Sequence, residues 1–132
     1  MSHAEEHRAR SAAALGAAQR LRESNPEWAL VPLFYSALQL LHMHFDLDHL
    51  NPVEKRHPKH HQSLRRDGRI VRWGTNDVAA AEYPEVSALY KSLYHASLAV
   101  RYRGKINGPP ERHWHKYDEL RARLDERSSS HA

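Results

Sequence analysis

The sequence predicts an all-α protein, an up-and-down bundle of four to five helices. Three observations point there. Apolar residues recur at three- and four-residue steps over long segments, the period of one helix face. The breaks between those segments are short and carry Pro, Gly or Asn, and short connections favour antiparallel neighbours. No segment shows the strict alternation of a half-buried strand. With 132 residues, the chain is long enough for one domain and too short for two ordinary ones. That domain is expected over residues 1–127, with 128–132 as a disordered tail.

The first helix is predicted from about His3 to Glu23. Ala12, Ala13, Ala14, Ala17 and Ala18 supply the strongest helix former, and Leu15, Ala18 and Leu21 a modest apolar stripe. Ser24-Asn25-Pro26 stops it; Asn25 suits a cap and Pro26 a first helical position. The second helix is predicted from Pro26 to Asp46. Trp28, Val31, Phe34, Leu38, Leu41 and Phe45 trace its face, and Leu30, Leu33 and Leu40 widen it, so this helix is expected at the centre. Pro32 is expected to bend it slightly.

A polar connection from Asp46 to His57 follows. A short third helix is predicted after Pro58, ending near Asp67-Gly68. Arg69 to Trp73 reads as one more turn or as an extended piece, and Gly74 to Asp77 as a break. The fourth helix is predicted to begin between Asp77 and Pro84 and to end at Arg103-Gly104. Val86, Leu89, Leu93, Ser97 and Val100 lie on one face, Gly104 suits a C-cap, and Arg101 and Arg103 suit the helix dipole. The fifth helix is predicted from Pro110 to Arg127, with Trp114, Tyr117, Leu120 and Leu124 as its stripe.

Composition narrows the chemistry. Hydrophobic residues make up 40% and charged residues 27%, a normal globular balance. There is no cysteine, which excludes disulfides, thiol catalysis and Cys-ligated zinc or iron–sulfur sites. No run approaches the roughly 18 apolar residues of a membrane span. Met1 to Arg10 is polar and charged rather than a secretory leader, so the cytoplasm is the expected compartment. No Gly-rich phosphate loop, serine nucleophile elbow or dinucleotide fingerprint occurs, and no cofactor is expected.

The net charge is +4, and the excess is local. Between residues 55 and 72 lie Lys55, Arg56, Lys59, Arg65, Arg66, Arg69 and Arg72 against one acid, Asp67. That stripe is +6, which leaves −2 for the rest. Concentrated positive charge is the footprint of a phosphate-bearing partner such as a nucleic acid. The plainer reading is a solvated surface. Trp73 is the aromatic placed to stack on a base; its alternative role is to close the end of the bundle.

The 12 histidines include His57, His60 and His61 within the stripe. On a helix, His57 and His61 would share a face at ligand spacing, but Pro58 intervenes and no carboxylate sits at a matching position, so no metal site is expected. His42, on the apolar face of the second helix, reads as a core histidine hydrogen-bonded to Tyr90 or Tyr94.

Trp28, Phe34-Tyr35-Ser36-Ala37-Leu38 and His42, then His60-His61…Arg65, then Tyr90…Leu93…Ser97…Arg101-Tyr102 together resemble bacterial HEPN-like (higher eukaryote and prokaryote nucleotide-binding) domains. The likeness spans residues 26–103. It implies an all-α bundle, usually a homodimer. It further implies RNA as partner and, in active toxin or defence members, metal-independent endoribonuclease activity, sometimes restrained by an antitoxin protein. Other members of that family are non-catalytic interaction modules. Active members carry an Arg, four to six residues, then a His, and Arg56 and His61 are the pair at that spacing. His57-Pro58 follows Arg56 directly, so Arg56 is expected just before the helix that holds His61, a departure from the family pattern. In such a site His61 would act as acid or base and Arg56 would hold the phosphate. Lys55, Lys59, Arg65, Arg66, Arg69 and Arg72 would bind the strand.

Overall fold

Four long helices form the protein, and a computed structural model describes residues 2–130, with side chains as far as Ser128. Ser2 and Glu5 open α1 (His3–Leu21): the Glu5 amide donates to Ser2 Oγ at 3.2 Å and the Ser2 amide donates to the Glu5 carboxylate at 3.3 Å. This reciprocal pair satisfies two amides that a helix start leaves without partners. The chain then turns through Asn25, whose carbonyl accepts from the Ala29 amide at 3.0 Å.

α2 runs from Leu30 to Leu47, four residues later than the expected start at Pro26. Pro32 accounts for the shift. It has no N–H to offer the Trp28 carbonyl four residues back. That carbonyl accepts from the Val31 amide instead, at 3.1 Å, in a tighter turn. Pro32 thus sits in the first turn of α2, where a missing donor costs little.

The expected third helix after Pro58 is not formed. A single 3-10 turn (Val53–Lys55) is followed by an irregular loop and then by two strands, β1 (Leu64–Arg66) and β2 (Arg69–Arg72). They pair antiparallel, with Arg65 opposite Ile70 and Arg66 opposite Arg69, and an irregular step beside Leu64. Asp67 and Gly68 join them with φ of 52° and 76°, the positive values of a tight hairpin turn. A helix here would have had only Leu64 to bury, and the positive φ of both Asp67 and Gly68 suits a hairpin turn rather than a continuing helix. Of the two readings for Arg69 to Trp73, the extended one is observed.

The break expected at Gly74 to Asp77 is a helix start: α3 covers Thr75–Glu82. α4 (Pro84–Arg103) follows after Tyr83, because Pro84 cannot donate into a continuous helix. α4 ends at Gly104, as expected. α5 (Glu111–Ser130) runs past Arg127, so residues 128–130 extend a helix instead of belonging to a tail; no Gly or Pro stops it there. Residues 131 and 132 of that expected tail lie outside the described residues.

α2 packs against α1, α4 and α5, and α3 lies on α4. Leu30, Leu33, Phe34, Ala37, Leu41 and Phe45 of α2 are closed to solvent and meet Tyr83, Tyr90, Leu93, Tyr117 and Leu120. The all-α bundle with α2 at its centre is the predicted architecture; the hairpin is an addition between α2 and α3.

Candidate nucleic-acid interface

The hairpin is tied to the bundle through its two flanking segments. The Thr75 amide donates to the His60 carbonyl and the Asn76 amide to the His61 carbonyl, both at 2.9 Å. Between them the Gly74 amide donates to Ser63 Oγ at 2.9 Å. A Cβ on residue 74 would lie 2.3 Å from the Gln62 carbonyl carbon, so only glycine permits this approach.

This clasp presses His61 onto the bundle. Its ring lies 5.1 Å from the Tyr94 ring and 5.7 Å from the Phe34 ring, and Phe34 in turn packs on Tyr90 at 5.6 Å. His61 Nδ1 is enclosed without a hydrogen-bond partner, as are Asn76 Oδ1, Tyr90 OH and Ser97 Oγ. Burial, and then the positive charges of Arg101 and His60, hold the His61 imidazole below its ordinary range and therefore neutral at pH 7.

Arg56 is placed differently. Its Nε donates to the Leu50 carbonyl at 2.8 Å, closing the connection after α2. Among the described residues no hydrogen bond or ring contact joins Arg56 to His61. The cation acting on His61 is Arg101, from the last turn of α4.

The basic stripe divides into engaged and free members. Lys55 pairs with Glu82 at 2.7 Å and lies 4.2 Å from the centre of the Trp73 ring. Arg65 pairs with Asp77 at 3.1 Å. Lys59, Arg66, Arg69 and Arg72 are exposed and pair with no acid among the described residues. Arg66 and Arg69 face each other directly across the strands, and Asp67 in the turn between them pairs with neither. Like charges at opposed positions destabilise a ribbon. The acids that neutralise part of the stripe, Asp77 and Glu82, were not foreseen; their signal was that they are the first two acids after it in the chain.

Beside the hairpin lies a cleft of about 180 Å³ walled by Pro58, Lys59, His60, Arg72 and Trp73, with Glu54 and His57 completing it. His57 Nε2 is 3.3 Å from the Asp46 carboxylate. His42 bonds to neither Tyr90 nor Tyr94. Its Nε2 is 3.0 Å from Thr75 Oγ1, so the start of α3 supplies its partner. Among the described residues no three His, Asp or Glu side chains gather into a metal-ligand set, and no helix is long and apolar enough to cross a membrane.

The arrangement defines an all-α bundle that carries a cationic β-ribbon on one connection. In comparisons with protein-family models, with curated proteins and with solved structures, the chain matches none.

Proposed function

We propose that this protein is an RNA-binding domain of HEPN-like type, and that the hairpin and the loop before it are its contact surface. The observation that carries the reading is the opposed pair Arg66 and Arg69, exposed and without an acid partner. A phosphate between two guanidinium groups relieves their repulsion and accepts bidentate hydrogen bonds from each. Lys59 and Arg72 extend the same positive surface. The resemblance to HEPN proteins adds support, since its residues Phe34, His61 and Tyr90 pack together around one place.

The test is the affinity of the protein for a fluorescently labelled single-stranded RNA, followed by anisotropy at low salt. Arg66→Ala with Arg69→Ala is expected to weaken binding at least tenfold while the circular dichroism spectrum is unchanged. Equal affinity for both proteins would sink this surface as the contact site.

A second reading, metal-independent cleavage of the bound strand, is favoured by one observation: the His61 ring packs 5.1 Å from Tyr94 of α4, the helix whose last turn carries Arg101, and burial followed by that cation holds the imidazole toward its neutral form. A neutral imidazole accepts the proton of a 2′-hydroxyl, and an arginine stabilises the charge that develops on the phosphate. In this version Arg101 takes the role that the spacing assigned to Arg56. Cleavage of RNA in EDTA, abolished by His61→Ala and by Arg101→Ala but kept by Arg56→Ala, is the expected pattern. Absence of cleavage by the unaltered protein leaves a binding module.

A further inference from the structure

We propose that the cleft beside β2 is a nucleobase subsite, in which one unstacked base of a single strand lies against Trp73 while its phosphate meets Lys59 and Arg72. The inference deepens the RNA-binding reading and rests on it.

Trp73 is a prepared platform. It directly follows β2, and the next residue, Gly74, is clasped to the loop at Gln62 and Ser63. Lys55 lies over its ring, and Glu82 holds Lys55 there at 2.7 Å. Trp73 borders the cleft and Lys55 does not. The ring is half-buried and packs against the core, so ordering it on binding costs little entropy.

The rest of the wall suits a base joined to a phosphate. Pro58 is buried and offers an apolar surface. Lys59 and Arg72 carry charges that no acid among the described residues neutralises, and His60 adds an exposed imidazole. Glu54 is the one carboxylate of the wall; the other ionisable member, His57, is turned to Asp46. A cleft with an aromatic wall and a cationic rim matches the two parts of a nucleotide, a flat ring and an anion. Arg66 and Arg69, on the same hairpin, then hold neighbouring phosphates. Stacking on an aromatic side chain tolerates any base, so the subsite selects an exposed base over a paired one rather than one base over another.

Binding of a short oligoadenylate RNA is compared with binding of an abasic strand of the same length, for the unaltered protein, Trp73→Ala and Trp73→Phe. The unaltered protein is expected to bind the RNA about tenfold more tightly than the abasic strand. Trp73→Ala, with an unchanged circular dichroism spectrum to show that it is folded, is expected to bring the RNA down to the affinity of the abasic strand. Trp73→Phe is expected to keep most of the preference. Tryptophan fluorescence of the unaltered protein should be quenched by the RNA and not by the abasic strand, and that quenching should vanish in Trp73→Phe although Trp28 and Trp114 remain. Equal affinity of the unaltered protein for the two strands, or a full preference retained by Trp73→Ala, overturns the subsite and leaves the hairpin reading intact. Failure to bind either strand at low salt overturns both.

Discussion

Three helices meet through hydroxyl groups at Ser36. Its Oγ donates to the Ser11 carbonyl of α1 at 2.9 Å, and it shares a hydrogen bond of 2.7 Å with the Tyr117 hydroxyl of α5; Ser11 Oγ returns a bond to the Ser36 carbonyl. All three residues are buried, so each lost bond strands a polar atom away from water. Tyr117→Phe is expected to cost about 1 kcal/mol, and Ser36→Ala about 2 kcal/mol, because it also orphans the Tyr117 hydroxyl. Urea midpoints with an unchanged slope measure this, and a shift no larger for Ser36→Ala than for Tyr117→Phe contradicts it. At His42 burial dominates, and with the charges of nearby histidines it lowers the imidazole from 6.5 to about 3. The unfolded chain therefore binds a proton that the folded chain refuses throughout that interval. Stability from this residue is complete above pH 6.5 and is lost as the pH falls toward about 3, by at most about 1.4 kcal/mol per pH unit. His44, His61 and His113, each lowered mainly by burial, act in the same direction. The melting temperature is expected to fall between pH 7 and pH 5 (ordinary assay conditions for this range), and less steeply in His42→Gln; parallel slopes for the two proteins refute the assignment.

Among the elements, the four long helices were legible because each buries a stripe. Phe34, Leu38, Leu41 and Phe45 recur at helical steps and are all buried. The hairpin was not legible by the same criterion. Every residue of β1 is exposed and only Ile70 of β2 is half-buried, so neither strand has an apolar face to alternate with a polar one. The readable signal was Asp67-Gly68, a favoured pair for a two-residue hairpin turn, but a glycine there equally suits the end of a helix, which is how the pair reads after Pro58. The candidate site was legible in part for a related reason. A count of basic residues locates the stripe, but which of them are free depends on Asp77 and Glu82 of α3, and only folding brings those to Arg65 and Lys55. The clasp at Gly74 is the element-level feature most exposed to mutation. Gly74→Ala forces its Cβ into the backbone of Gln62 and is expected to open the hydrogen bonds of Thr75 and Asn76 to the loop, at a cost of about 1–3 kcal/mol. Hydrogen exchange at those two amides should accelerate while the amides of α2 keep their protection; unchanged exchange at residues 75 and 76 argues against the clasp.

For the molecule as a whole, binding to a polyanion is a matter of released counterions. Four free cations on the hairpin and its loop give an expected slope of about −3 for log affinity against log salt on a single strand. Removing Arg66 and Arg69 together should make that slope shallower by about 1.4. An unaltered slope in the double variant means that those arginines touch no phosphate. The same ribbon also bears on how copies of the protein behave toward one another. A two-stranded ribbon has an unpaired edge on each side, a template onto which a third strand could add. Here any second ribbon that approached in register would set arginine against arginine along the seam. The repulsion between those arginines therefore also guards the exposed edges of the ribbon against self-templated aggregation.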